Sequence, residues 1–182
     1  GHLLRLTARL KLPAVFEWVA DWLAGTEGKL ALYGVHRSII RGALHEQYPD
    51  ISVVVDGQVT GRQRKLAFDH FLKSKKPRLL LGNIKAAGVG LSGKGVADMA
   101  FVEFPWTPGE LVQAEDRFHG VGRGREDRRT HVRFLAAHGT VEEKLLKALQ
   151  RKQKVLGQTL DGDGRGDALA VYDMLCKSLL KE

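Results

Sequence analysis

Residues 51–57 read ISVVVDG, and residues 77–83 read PRLLLGN. Each segment is a short, almost continuous apolar run bounded by turn residues, an Asp-Gly pair after the first run and Pro77 before the second. Such runs are typical of strands that are buried on both faces, as they are in parallel sheets covered by helices on each side. These two segments therefore predict an α/β fold.

Strand-like and helix-like segments alternate along the rest of the chain. Further strands are predicted at 29–34 (KLALYG), 97–104 (ADMAFVEF) and 130–137 (THVRFLAA). The spacing of apolar residues predicts helices over 13–25, 36–48, 60–73 and 108–120. Thr140 is expected to cap another helix, with Glu143 as its capping-box partner. We therefore expect a three-layer α/β domain in which helices flank a mostly parallel central sheet.

The loops beyond the carboxyl ends of the strands are the expected place for a ligand. In parallel sheets with helices on both faces, ligands bind in the crevice at that edge. The loops concerned follow Tyr33, Val55, Leu81, Glu103 and Phe134.

Composition limits the classes of partner. The chain has 182 residues and a formal net charge of +8. This charge fits a nucleic-acid partner, and it fits an ordinary basic surface equally well. The single cysteine, Cys176, excludes an internal disulfide and a cysteine zinc cluster, and the histidines have no metal-binding spacing. No apolar run reaches membrane-spanning length and no signal peptide is visible, so we expect an intracellular protein without a metal site or a membrane partner.

A glycine-rich stretch at 86–95, AAGVGLSGKG, contains the residue spacing of two kinds of phosphate-binding loop. Gly88, Gly93 and Lys94 spell G-x-x-x-x-G-K, and Gly88, Gly90 and Gly93 spell G-x-G-x-x-G. Both loops require a following helix, and the first requires Ser or Thr after the lysine. Here Gly95 follows Lys94, and a strand begins almost at once. We therefore interpret the stretch as a glycine turn between strands, and its function stays open at this point.

A second polar constellation lies at 103–123, EFPWTPGELVQAEDRFHGVGR. Gln113 and Arg117 are four positions apart, so they share one face of the predicted helix. A face that offers an amide and a guanidinium suits the recognition of a phosphate chain. Ordinary charges on a surface helix would produce the same pattern.

At these residues the chain resembles the SWI/SNF-type helicase-like ATPases of superfamily two. QAEDR-x-H with W-x-P-G upstream is similar to their motif VI, AAGVGLSG to motif V and KLALYGVHRSII to motif IV. Gly57, Arg64 and Phe71 match the G-x-T…R…F segment of the family, and residues 139–162 resemble the helix that follows motif VI. The likeness is closest to the annealing-helicase (HARP-like) branch.

The resemblance implies that the chain is one of two facing RecA-like lobes. Residues 1–160 would form the second lobe, and 161–182 a flexible link and a C-terminal helix. In that family the first lobe carries the phosphate-binding loop, the Asp-Glu box and Mg²⁺, and none of these motifs occurs here. ATP and Mg²⁺ would thus be bound mainly by the first lobe, and neither tightly by this chain.

The resemblance also implies a set of site residues. The ATP-facing residues would be Gly88, Gly90, Gln113 and Arg117, and the catalytic ones would be Arg117 and Arg123. Contacts to the backbone of double-stranded or forked DNA would come from His36, Arg37, Gly57, Asn83 and Lys85. The implied partners are DNA and the first lobe. The implied location is the nucleus if the protein is eukaryotic, and the cytoplasm or nucleoid if it is bacterial or viral.

One departure from the family pattern concerns the catalytic arginine. The pattern DR-x-HR-x-GQ has a second arginine that acts as a finger, but Gly120 stands at that position and Arg123 replaces the final glutamine. Arg123 or Arg125 could reach in from the adjacent loop, the parent ATPase could be weak, or the change could be peculiar to this chain. The sequence leaves these explanations open.

The sequence supports three functional hypotheses. The chain is the C-terminal motor lobe of an ATP-dependent DNA translocase or annealing helicase, whose full-length parent is an ATPase and whose isolated lobe is inactive. Alternatively, it is a non-catalytic nucleic-acid-binding module that has lost the finger arginine, because glycine stands at position 120. The third hypothesis is a self-sufficient nucleotide-binding protein built on the glycine stretch, which predicts tight binding of ATP by this chain alone.

Overall fold

Five parallel strands form the centre of the molecule. The computed structural model describes residues 2–87, 96–105, 107, 110 and 131–158, and it describes side chains in these ranges except at 86–87 and 151–158. In this part of the chain the strands lie in the order β2-β3-β1-β4-β5. Their bounds are Leu30–Gly34 (β1), Ser52–Val55 (β2), Leu79–Asn83 (β3), Asp98–Phe101 (β4) and His131–Phe134 (β5). The parallel sheet confirms the predicted α/β fold.

Helices cover both faces of this sheet. Their bounds are His2–Leu10 (α1), Leu12–Gly25 (α2), Arg37–Ile39 (α3), Gly61–Lys73 (α4), Ile84–Ala87 (α5) and Val141–Gln158 (α6), with a π-helical segment at Ile40–His45. In the described ranges, no helix combines the length and the apolarity needed to cross a bilayer.

Successive residues of the strands pack into two separate cores. In β1, Tyr33 packs in the core that contains Phe71 of α4 and Leu145 of α6. The preceding residue, Leu32, packs in the other core, which contains Val19 of α2. This alternation places apolar side chains on both sides of the sheet, which explains the continuous apolar runs in the sequence.

Several element boundaries differ from the sequence-based ones. The strand predicted over 97–104 ends at Phe101, and the helix predicted over 36–48 contains the π-helical segment Ile40–His45. Helix α1 was not predicted. The helix predicted over 108–120 lies outside the described residues, apart from Glu110.

The predicted cap at Thr140 is present in a shifted form. Thr140 Oγ1 accepts a hydrogen bond from the Glu142 amide at 3.2 Å, while the Glu143 carboxylate accepts from the Gly139 amide at 2.9 Å. Gly139 has φ +69°, a conformation that favours glycine. Lys147 and the Gly139 amide together hold the pKa of Glu143 at about 2.

A buried ion pair joins α6 to the turn between α1 and α2. Lys11 Nζ lies 2.6 Å from Glu142 Oε2 and donates to the Leu135 carbonyl at 2.6 Å. The two side chains are only 8% and 2% exposed. Burial lowers the pKa of Lys11, and the hydrogen bond and charge of Glu142 oppose that shift. The pair fixes the first two helices to the opposite end of the chain.

Candidate nucleic-acid interface

The carboxyl ends of β2, β3 and β1 bring together all the residues that were expected to contact DNA. His36 and Arg37 follow β1, Gly57 follows β2, Asn83 ends β3, and Lys85 is in α5 directly after it. The three strands are neighbours in the order β2-β3-β1, so their loops lie side by side.

A buried carboxylate holds the loop after β1. Glu103 is 4% exposed and lies two residues after the end of β4, the strand that neighbours β1. Its Oε2 accepts hydrogen bonds from the backbone amides of Val35 and His36, at 2.8 and 2.7 Å. Its Oε1 lies 2.5 Å from His36 Nδ1. One side chain therefore fixes both the backbone of this loop and the ring of His36.

Asn83 fixes the same loop from its other side. Its Nδ2 donates to the Val35 carbonyl at 2.6 Å, and its Oδ1 accepts from the Lys85 amide at 3.1 Å. Both functional groups of Asn83 are thus engaged within the chain. Its side chain links the loop after β1 to the start of α5.

A charged cluster connects the loops after β1 and β2. The fully buried Asp56 accepts from Arg41 Nε at 2.6 Å and lies 3.4 Å from Arg37 Nε. The Gln58 amide also donates to Asp56, and Arg37 donates to the Gln58 side chain at 2.6 Å. The hydrogen bond from Arg41 is the main cause that lowers the pKa of Asp56. Two guanidinium groups share one carboxylate, so the cluster keeps a net positive charge.

Lys85 and Gly57 are the most open members of the interface. The Lys85 side chain is 75% exposed, and its Nζ lies 3.6 Å from Glu110 Oε1. An exposed ion pair of this length contributes little stability, so the ammonium stays available to an anion. A Cβ added at Gly57 would meet no atom within 4 Å, so packing inside the described chain does not require glycine there.

The residues expected to face ATP or to act in catalysis lie outside the described residues. They are Gly88, Gly90, Gln113, Arg117 and Arg123. Trp106 and Gly120 also lie outside them. Among the residues whose side chains are described, no group of three or more His, Cys, Asp or Glu could hold a metal ion.

Sequence reasoning missed the roles of Glu103 and Arg41. Glu103 was recognised only as the last residue before a loop, although an acidic residue inside the apolar run FVEF was a usable signal. Its partners are 67 and 68 positions away in the sequence, and they become neighbours only because β4 pairs with β1. Nothing in the sequence around Arg41 indicated its ion pair, since its partner Asp56 belongs to the loop after a different strand.

Gly34 leaves room for the carboxylate of Glu103, which gives a test of this arrangement. A Cβ at Gly34 would lie 2.8 Å from Ile40 Cδ1 and 3.0 Å from Glu103 Oε2. We expect Gly34→Ala to lower the free energy of unfolding by about 1–3 kcal/mol, as overpacking does. Urea unfolding followed by circular dichroism measures the change.

Gly42 supplies the matched control. A Cβ there would meet nothing within 4 Å, and the residue lies in the helical segment Ile40–His45. Gly42→Ala should therefore be neutral or stabilise the chain by about 0.4–1 kcal/mol. Equal effects of the two substitutions would show that Gly34 is not tightly enclosed.

Comparison with known proteins identifies the family of this chain. The helicase conserved C-terminal domain family matches residues 26–122, and the chain belongs to that family. The match covers the loops after β1, β2 and β3.

Among its relatives is the SWI/SNF-related matrix-associated actin-dependent regulator of chromatin subfamily A-like protein 1 of Xenopus tropicalis. It is 30% identical over 154 residues, which are 84% of this chain and 16% of that protein. The DNA annealing helicase and endonuclease ZRANB3 of Mus musculus is 29% identical over 163 residues, which are 88% of this chain and 15% of that protein. The chain is thus related to annealing helicases of the SWI/SNF type and spans a small part of their length.

Two solved structures share the fold. The C-terminal part of the Fun30 ATPase domain superposes with a TM-score of 0.68 at 16% identity, covering 92% of this chain and 54% of that one. The Sulfolobus solfataricus SWI2/SNF2 ATPase core in complex with dsDNA superposes with a TM-score of 0.62 at 17% identity, covering 87% and 32%. The fold is therefore the RecA-like fold of these ATPase lobes.

Proposed function

We propose that the chain is the C-terminal motor lobe of an ATP-dependent DNA translocase of the annealing-helicase kind. The observation that carries this proposal is the polar, positively charged edge built by the loops after β1, β2 and β3 in a member of the helicase C-terminal family. The relative named as an annealing helicase and the ATPase core solved with dsDNA support it.

In this proposal the edge grips the DNA backbone. The side chains of His36, Arg37 and Lys85 are exposed or partly exposed. Arg37 and Lys85 can donate to phosphate oxygens, and His36 can do so when its Nε2 carries a proton. Asn83 orients the loop that carries His36 and leads to Arg37, because its amide is bonded within the chain. Gly57 lets a DNA strand approach the backbone of the loop after β2. Such contacts hold DNA without reading its sequence.

The proposed function also includes an ATP site between two lobes. Gly88, Gly90, Gln113 and Arg117 would form the wall that this chain supplies, and Arg117 and Arg123 would act on the transferring phosphate. A first lobe would hold most of the ATP contacts and Mg²⁺. We accordingly expect the isolated chain to hydrolyse no ATP.

The proposal includes a domain division and a location. Residues 1–160 form the lobe in this proposal, and residues 161–182 form a link and a further helix; positions 159–182 lie outside the described residues. A motor that acts on DNA works where the DNA is, so we expect the nucleus in a eukaryote, and the cytoplasm or nucleoid in a bacterium or virus.

Salt dependence of DNA binding tests the grip. We expect Arg37→Ala/Lys85→Ala to weaken binding of the 182-residue chain to a duplex. The slope of log K against log salt should fall by about 0.9 for each phosphate that the variant no longer neutralises. Fluorescence anisotropy at several salt concentrations measures both quantities. Because both side chains are at least half exposed, the substitutions should leave the fold intact.

Lys73→Ala/Lys75→Ala is the matched control because it removes the same charge. Lys73 is the last residue of α4, which runs from the carboxyl end of β2 back towards the start of β3. These lysines therefore lie near the amino ends of the strands, at the end of the sheet opposite the proposed interface. Their removal should change the slope less. A slope that responds equally to both pairs would mean that DNA senses only the net charge, and the proposed interface would be wrong.

A non-catalytic nucleic-acid-binding module is the second candidate, and Gly120 favours it. Glycine at that position removes the arginine that completes the family pattern. Such a module would keep the grip described above and would have no ATPase activity in its full-length form. The ATPase assay on the full-length protein separates the two candidates.

A further inference from the structure

The contact between Glu103 and His36 determines which ring nitrogen carries the proton. Glu103 Oε2 accepts from two backbone amides, and Oε1 lies 2.5 Å from His36 Nδ1. An ionised carboxylate has only acceptor sites, so Nδ1 must be the donor in this hydrogen bond. The neutral ring has a single N–H, which leaves Nε2 as a bare acceptor.

This tautomer affects what His36 can offer to DNA. Phosphate oxygens accept hydrogen bonds and carry negative charge. The neutral ring with its proton on Nδ1 has no N–H left for a phosphate. The protonated ring has an N–H at Nε2 as well, and it also carries a positive charge. The His36 side chain is 31% exposed, so a ligand can reach the part of the ring that Glu103 does not cover.

We propose that Glu103 is a positioning residue that holds His36 in the Nδ1–H form, so that His36 grips a DNA phosphate only after it takes up a second proton. The lobe then binds DNA more tightly in mildly acidic solution. This inference rests on the proposed function in one respect, that His36 contacts DNA; the tautomer itself does not depend on DNA.

Other charged groups surround the pair among the described residues. Lys11 interacts with Glu103 from the turn between α1 and α2, and Lys11 is itself paired with Glu142. Arg37 follows His36 in the chain and is paired with Asp56, whose pKa is lowered. On the side of β3 the neighbour is the uncharged Asn83. Of the side-chain types in this set, histidine is the one whose ordinary change of charge falls between about pH 5 and 8.

The first experiment reads the tautomer directly in the 182-residue chain without DNA. Long-range ¹H–¹⁵N spectra distinguish the protonated from the bare ring nitrogen, and we expect the neutral His36 ring to have its proton on Nδ1. In Glu103→Gln, the new amide can keep accepting from the two backbone amides and donate to Nδ1, so the proton should move to Nε2. A wild-type ring with its proton on Nε2 would overturn the inference.

The second experiment measures DNA binding against pH. We expect the wild-type chain to bind a duplex about twofold to tenfold more tightly at about pH 6 than at about pH 8, beyond the change seen in His36→Ala. Other histidines contribute to the background, and the His36→Ala variant subtracts them. In Glu103→Gln this excess should shrink, because the neutral ring already offers an N–H to the phosphate.

A double variant separates positioning from a general loss of negative charge. If Glu103 acts through His36, Glu103→Gln should not alter the pH response in the His36→Ala background. The same pH response in wild type and His36→Ala overturns the inference, whether or not Glu103→Gln folds. The Arg37→Ala/Lys85→Ala salt slope reports on the proposed function separately, since it is measured at a single pH.

Discussion

Lys11→Met is expected to lower the free energy of unfolding by about 3–5 kcal/mol, because it leaves a buried carboxylate without its cation. Glu142 is 2% exposed, and Lys11 lies 2.6 Å from it. Lys11 Nζ also donates to the Leu135 carbonyl and lies 5.2 Å from the centre of the Phe104 ring. Water cannot easily replace these interactions, so the destabilisation should be much larger than that of removing a surface ion pair. Urea unfolding measures it.

The same helix supplies a control of matched geometry. Lys147 lies 2.7 Å from Glu143, but its side chain is 63% exposed. Lys147→Met should change stability little, since water solvates the remaining carboxylate and exposed pairs contribute little. The comparison thus isolates the effect of burial from that of distance.

The double variant Lys11→Met/Glu142→Gln should recover much of the stability. Glutamine removes the buried charge and keeps an acceptor for the Ala137 amide, which donates to Glu142 Oε2 at 3.1 Å. Replacing both members of a buried ion pair is often neutral, whereas removing one is costly. A double variant that is as unstable as the sum of the two single variants would show that the charges do not act as a pair.

The fold was largely predictable because the sheet is buried on both faces. Residues of β3 such as Leu80 and Leu81 enter opposite cores, and that requirement appears in the sequence as an unbroken apolar run. Helix α1 was not predictable in this way. Leu3, Leu6 and Leu10 do recur at helical spacing, so the signal of an amphipathic helix was present and was missed. These three leucines are exposed, so their burial in a core does not explain this helix.

The candidate interface was predictable only as a set of loops. The carboxyl edge of the sheet was the expected place, and His36, Arg37, Asn83 and Lys85 follow or end neighbouring strands there. The hydrogen bonds that hold them join residues far apart in the sequence, such as Glu103 with His36. Those bonds depend on the order β2-β3-β1-β4-β5, which local sequence patterns do not contain.

The largest functional effect is expected from the arginines of the predicted motif VI. In the full-length protein, Arg117→Ala should lower the DNA-stimulated kcat for ATP hydrolysis by about a hundredfold to a thousandfold, the loss expected for one donor to the charge of the transition state. A guanidinium supplied across the cleft would stabilise charge on the transferring phosphate, and water cannot replace it there. Lys73→Ala is the control, because Lys73 lies near the opposite edge of the sheet. A steady-state ATPase assay with saturating duplex measures the decrease.

Arg123 and Gly120 determine how that result is interpreted. If Arg123 serves as the finger in place of the residue at 120, Arg123→Ala should cause a decrease of the same order as Arg117→Ala. Gly120→Arg should then add little, because the charge is already supplied. If the parent is instead a weakened motor, Arg123→Ala should have a small effect and Gly120→Arg should raise kcat. ATPase activity that is unchanged by Arg117→Ala would contradict the proposed role of Arg117 in an ATP site.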